Sequence, residues 1–183
     1  MHAMAEDNVT ATLTIAAPVT RVFAVLADPT THSAIDGTGW VQEATDPAPL
    51  TAVGQLFRMD MYHPAHSDGH YRVVNQVVVF DAPRAIGWRT GTEKADGRLE
   101  LGDWIWRYDL APSGPAGTEV TLTYDWSAVP PSVRERIQFP PFGPDHLVNS
   151  LHHLAGLAEA ATTGQGSRSV TPLPVAMSNG TDT

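Results

Sequence analysis

From Trp40 to Ser127 apolar and polar residues alternate with period two, segment after segment, and no other feature restricts the fold as much. "QLFRMDMYH", Gln55 to His63, sets Phe57, Met59 and Met61 on one face and Arg58 and Asp60 on the other. "DWIWRYDL", Asp103 to Leu110, sets Trp104, Trp106, Tyr108 and Leu110 against Ile105, Arg107 and Asp109. "EVTLTYDWS", Glu119 to Ser127, sets Val120, Leu122, Tyr124 and Trp126 against Thr121, Thr123 and Asp125. Successive side chains of a strand point to opposite faces, so each segment reads as a strand with one buried side. "WVQEA" (Trp40 to Ala44), "HYRVVNQVVVF" (His70 to Phe80) and "AIGWRTG" (Ala85 to Gly91) complete the run. Short turns such as "PSGPAGT" between them imply antiparallel pairing. "VTATLTI", Val9 to Ile15, adds a strand at the start.

A sheet with one apolar face needs something to cover it. After Pro18, Val19, Val22, Phe23 and Leu26 fall at helical spacing, and a second short helix is expected from Pro29 to about Ile35. "DHLVNSLHHLAGLAEAA", Asp145 to Ala161, carries Leu147, Leu151, Leu154 and Ala158 at i, i+4, i+7 and i+11, an apolar helical stripe. The expected class is α+β: a curved antiparallel sheet of about seven strands wrapped around a long C-terminal helix, with two short helices after strand 1. Residues 1–8 are expected to be a flexible N-terminus and 9–161 one domain. Residues 162–183, rich in Gly, Ser, Thr and Pro without periodicity, are expected to be a disordered tail.

Charge then narrows the partners. With 11 basic and 20 acidic side chains the net charge is -9, which repels nucleic-acid phosphates and anionic lipid heads. No nucleic-acid partner is expected, and an uncharged or mildly cationic small molecule stays open. The absence of cysteine excludes disulfides, thiolate metal sites and thiol catalysis. No apolar run, "VVVF" at Val77 to Phe80 included, approaches the length of a membrane span, so no stable membrane insertion is expected. "MHAMAEDNV" lacks the apolar centre of a signal peptide, which makes a cytoplasmic protein the expectation. No nucleophile-elbow, P-loop, zincin or dinucleotide-binding pattern occurs, and no cofactor is expected.

The inward face collects the candidate binding residues: Phe57, Met59, Met61, Tyr71, Asn75, Trp106, Tyr108, Tyr124 and Trp126 from the strands, with Leu147, Leu151 and Leu154 closing from the helix. An aromatic pocket with a few hydroxyl, amide and indole donors suits an apolar ligand carrying one or two oxygens. The competing reading is that these side chains fill a dry core. Tyr108, Tyr124 and Asn75 are the candidates for catalysis, since a buried hydroxyl or amide facing a cavity needs a partner. Apolar residues crowd both faces of the strand from His70, so Asn75 and Gln76 compete for the inward position. The strands place no carboxylate or histidine inside, and Arg58, Asp60, Arg107, Asp109 and Asp125 read as a solvated face with cross-strand ion pairs. Asp36 is expected to cap a turn rather than to reach the cavity mouth. His146, His152 and His153 read as surface residues, and His32 as exposed.

"YHPAHSDGH", Tyr62 to His70, gathers three histidines and an aspartate. The spacing of His63, His66 and His70 would ligate a metal from a helix, but Pro64 and Gly69 disfavour one. The stretch is expected to be a mobile polar loop near one end of the cavity, gating rather than reacting, and no metal is expected.

Four longer segments carry a family resemblance: "TIAAPVTRVFAVLADPTTHSAIDGTG" (Thr14 to Gly39), "NQVVVFDAPRAIGW" (Asn75 to Trp88), "WRYDLAPSGPAGTEVTLTYDWS" (Trp106 to Ser127) and "FPPFGPDHLVNSLHHLAGLAE" (Phe139 to Glu159). In this order they resemble the START-like, or SRPBCC, helix-grip superfamily, in its polyketide cyclase/dehydrase-like branch. The resemblance implies a cavity between sheet and last helix that holds a hydrophobic small molecule, lipid-, aromatic- or polyketide-like. It also leaves open a cyclase or dehydratase performing aldol cyclisation or water loss in the same cavity. A lipid-delivery or protein-interaction module has less support. The chain is expected to be a monomer or homodimer.

Overall fold

The computed structural model describes residues 7–163. The expected flexible N-terminus and disordered tail therefore lie outside the described residues, except at their inner ends, where Asn8 already belongs to a strand and the last helix reaches Thr163. The elements are β1 (Asn8–Ile15), α1 (Val19–Leu26), a 3-10 turn (Pro29–Thr31) running into α2 (His32–Ile35), and then β2 (Val41–Ala44), β3 (Leu56–Tyr62) and β4 (His70–Asp81). They are followed by β5 (Ala85–Glu93), β6 (Leu99–Ser113), β7 (Gly117–Asp125), α3 (Pro131–Arg134) and α4 (His146–Thr163). The seven strands form one sheet in the order β1-β7-β6-β5-β4-β3-β2, antiparallel throughout. This is the helix-grip α+β architecture. No helix among the described residues is long and apolar enough to cross a membrane.

The period-two reading predicts the faces correctly. Phe57, Met59, Val73, Asn75, Val77, Tyr108, Leu110, Val120, Leu122 and Tyr124 are all buried on the concave side. Gln76 lies on the other side, where its amide oxygen accepts from Arg89 at 2.7 and 3.0 Å, which settles the competition with Asn75. The convex face carries the charges: Arg58 pairs with Asp46 at 3.0 Å and Glu93 at 2.7 Å, and Arg72 with its cross-strand partner Asp60 at 2.7 Å. Arg107 departs from the cross-strand expectation and pairs along its own strand with Asp109 at 2.8 Å. Exposed pairs of this kind contribute about 1 kcal/mol or less each.

Curvature comes from irregularities in the pairing. The register shifts between Val77 and Val79 and between Arg89 and Gly91, and such bulges bend and twist a strand. In β5, Gly87 and Gly91 lie directly against the β6 backbone, which no side chain would allow. β6 is longer than expected because the β5–β6 hairpin continues out to the Glu93–Leu99 pair. The Pro-rich passage after β7 contains α3, whose Arg134 donates to the carbonyls of Val129 (2.8 Å) and Trp126 (2.9 Å) and to the Asp7 carboxylate (2.7 Å). Those bonds hold the end of β7 against the start of β1. Along α4, Leu147, Leu151, Leu154 and Ala158 are buried, and the helix packs on β1 and α1.

Candidate functional site

A cavity of about 210 Å3 opens between the concave face of the sheet, α2 and the start of α4. The sheet contributes Phe57, Met59 and Met61 from β3, Val73, Asn75, Trp88 and Thr90 from β4 and β5, and Trp104, Trp106, Tyr108 and Tyr124 from β6 and β7. Leu26, Ile35, Trp40 and Val41 close one side, and Pro141 with Phe142 the other. The polar remainder is His32, Asp36, Thr38, His146 and Ser150.

Seven of the twelve candidate residues line this space: Phe57, Met59, Met61, Asn75, Trp106, Tyr108 and Tyr124. The other five lie outside its lining. Tyr71 is half-buried and stacks on the His66 ring at 4.0 Å, drawn towards the loop at the start of its strand. Trp126 is buried, but β7 has ended by then, and its ring stacks on Phe139 at 6.2 Å, behind Tyr124 in an aromatic cluster that adjoins the cavity wall. Leu147, Leu151 and Leu154 pack in the core. The helix meets the cavity with the adjoining stripe instead, His146 and Ser150, four residues apart on one face.

Two of the four histidines expected at the surface are corrected by this geometry. His32 is 8% exposed, its ring stacked 4.9 Å from Trp88, and Nε2 lies 2.8 Å from the Leu26 carbonyl. A carbonyl only accepts, so Nε2 bears the proton and donates. Burial pushes the pKa of His32 below the usual 6.5, against the opposing pull of the Leu26 carbonyl and the Asp28 charge. His146 lies 4.5 Å from Phe142 and 5.5 Å from Trp106, ring centre to ring centre, and its Nδ1 is buried without a hydrogen-bond partner. Burial lowers its pKa as well, with the Asp36 charge acting the other way. His153 is exposed as expected, although its Nδ1 stands 3.2 Å from the carbonyls of Ile35 and Asp36.

A histidine held neutral by burial makes stability depend on pH in one direction. The unfolded chain protonates first as pH falls through 6.5, so the contribution of His32 is full above that value and is lost progressively below it. Urea midpoints at about pH 7.5 and about pH 5.5 should therefore fall less for His32→Phe, which keeps a ring against Trp88, than for the parent. An equal fall in both proteins would remove His32 from the account.

Asp36 combines both roles weighed for it. Its carboxylate accepts from the Thr38 amide at 3.1 Å, the Thr38 hydroxyl at 2.9 Å and the Val41 amide at 3.0 Å, closing the turn after α2, and it also lines the cavity. Gly37, next to it, lets α4 come close: a Cβ there would lie 2.7 Å from the His146 carbonyl and 2.9 Å from its Nδ1. Asn75 Oδ1 accepts from the Thr90 hydroxyl at 2.7 Å, and the amide NH2 remains available as a donor. Burial raises the pKa of Tyr108, with the Asp36 charge adding to it, and burial alone raises that of Tyr124. At neutral pH both hydroxyls keep their protons and act as donors rather than bases.

The histidine loop is held by ring contacts rather than by a shared ligand. His63 lies 4.7 Å from Trp40, His66 stacks on Tyr71, and His70 lies 5.2 Å from Tyr62. Among the described residues no three His, Asp or Glu side chains converge on a point where a metal ion would be held. Trp40, the ring partner of His63, also lines the cavity.

Comparison with known proteins agrees with this geometry. A family model described as polyketide cyclase/dehydrase and lipid transport matches residues 6–159. An uncharacterised protein of Mycobacterium tuberculosis is 27% identical over 123 residues, covering 66% of this chain and 48% of that protein. The chain thus spans about half the length of the curated relative it matches. Among solved structures, a Nitrosomonas europaea protein superposes with a TM-score of 0.63 at 16% identity, covering 88% of this chain and 99% of its own. The Zhui aromatase/cyclase of Streptomyces sp. R1128 does so with a TM-score of 0.58 at 18% identity, over 87% and 97%. At these identities the likeness is one of fold.

Proposed function

We propose that this chain, which belongs to the polyketide cyclase/dehydrase and lipid transport family, binds a largely apolar molecule of one or two rings in the cavity between sheet and α4. The composition and size of the cavity carry the reading. Aromatic and aliphatic side chains make most of the wall, and the few polar groups are spaced as they are where a pocket orients a small molecule. An apolar cavity of roughly 150 Å3 accepts benzene, while pockets for drug-sized ligands run from about 300 Å3 upwards. At about 210 Å3, a substituted ring or a fused pair fits, and a long lipid chain would require Phe142 and its neighbours to move aside. The Asn75 amide, the Tyr108 hydroxyl and the Tyr124 hydroxyl are the donors that would meet a ligand oxygen.

One observation favours catalysis as a second reading. His146 lines the cavity with an imidazole, a class of proton acceptor that the strands do not supply. In a cyclisation or dehydration it would remove the proton next to a carbonyl, and Tyr108 or Asn75 would donate to the oxygen that gains charge.

Native mass spectrometry of the purified protein tests both readings. A bound apolar compound of one or two rings is expected, and its loss of water during incubation would select the enzyme. Tyr108→Phe should weaken binding of that compound by roughly two- to tenfold, the worth of one hydrogen bond. If nothing co-purifies and the protein takes up no aromatic compound, the ligand reading fails with the enzyme reading.

A further inference from the structure

The charges around the cavity are unevenly chosen. Among the described residues Asp36 is the only lining side chain with a formal charge, and neither Lys nor Arg reaches the wall. The arginines of the neighbouring strands turn to the convex face, where Arg58, Arg72 and Arg107 are already paired with carboxylates. An anionic ligand would enter a low-dielectric space with no cation to receive it, against a carboxylate and the rings of an aromatic wall, whose faces are electronegative. A carboxylate or phosphate ligand is therefore the wrong class.

Two further features favour a cation. The His146 imidazole lines the cavity, and burial favours its neutral form, so it adds no positive charge to the wall. Around it Trp106 and Phe142 place their rings within 5.5 Å and 4.5 Å of the imidazole, the kind of wall that attracts an ammonium group. The Asp36 charge bears on the same region, since it acts on both His146 and Tyr108.

We propose that the cavity selects a protonated amine carried on an aromatic ring, with its ammonium against the Asp36 carboxylate. The inference rests on the cavity being a ligand site and adds the charge of the ligand to that reading. The cost of desolvating the ammonium is offset by the carboxylate and the aromatic wall together.

Three probes of one ring and one short chain separate charge from shape: phenethylamine, a cation at pH 7, neutral 2-phenylethanol and anionic phenylacetate. Binding to the full chain is read by calorimetry and by quenching of the tryptophans that line the cavity. The amine should bind roughly tenfold tighter than the alcohol, and phenylacetate weakest of the three. In Asp36→Asn the amine should lose its advantage, its affinity falling by a larger factor than that of the alcohol. Should that variant fail to fold, the order of the three probes on the parent protein decides alone. If the alcohol or phenylacetate equals or exceeds the amine, the proposal is overturned and the ligand site stands. If none of the three binds, the proposal is overturned, and the ligand-site reading falls with it unless a co-purifying compound is found.

Discussion

Gly91→Ala should cost about 3 kcal/mol or more, one of the largest stability losses expected from a single methyl group in this chain. A Cβ at that position would overlap the Glu100 carbonyl oxygen and lie 2.6 Å from the Leu101 Cα. Both are backbone atoms of the paired strand, so no rotamer change relieves the contact, and β5 must part from β6 at their register shift. The sheet is curved and buried at this point, with β4 bonded to the other edge of β5, so the strand has nowhere to retreat. For a chain of this length the melting temperature should drop by roughly 6–12 °C. Gly156→Ala provides the contrast: its Cβ meets nothing within 4 Å on the exposed side of α4, and a helix gains about 0.5–1 kcal/mol from the exchange. Opposite shifts in urea midpoint for the two variants are the expected result. A Gly91 variant as stable as the parent would mean that glycine is not what permits the close approach.

How much of this was legible from sequence follows from the periodicities. Alternation reports which strand residues share a face, and a sheet with one dry side leaves little freedom in assigning them. The strand-borne part of the cavity wall, from Phe57 through Asn75 to Tyr108, was therefore readable. Alternation is silent once a strand ends, which is why Trp126, in phase with Tyr124, turns away: the chain bends there, with the Asp125 carboxylate accepting from the Ser127 amide at 2.8 Å. The helix-borne part was less legible. A 3.6-residue period identifies the apolar stripe of α4 but not which neighbouring stripe borders a void, so His146 and Ser150 were passed over for Leu147, Leu151 and Leu154. His32 was missed for a similar reason, because four residues of helix carry too little pattern to orient a side chain. The groups with the most chemistry thus came from short or irregular segments.

That division between stripe and cavity gives the other large effect. Leu154→Ala should destabilise the fold by about 2–5 kcal/mol, the range for a fully buried leucine whose surroundings relax only in part. Leu154 is 0% exposed and belongs to the core that joins α4 to the sheet and α1. Collapse around the missing atoms is hindered, because β1 is fixed by its pairing along its whole length with β7 and the helix is tied to it where the Ala16 amide donates to Glu159 at 3.0 Å. The leucine does not line the cavity, however, so the folded fraction should bind an aromatic probe with the affinity of the parent. Ser150→Phe should show the reverse pattern, since the added ring enters the cavity from the helix: binding falls steeply while the loss of stability stays nearer the 1–3 kcal/mol typical of overpacking. Urea denaturation and probe titration of both variants separate the two stripes of one helix. If Leu154→Ala also abolished binding in protein shown to be folded, core and cavity would be one compartment, and the leucines would return to the site from which the geometry removes them.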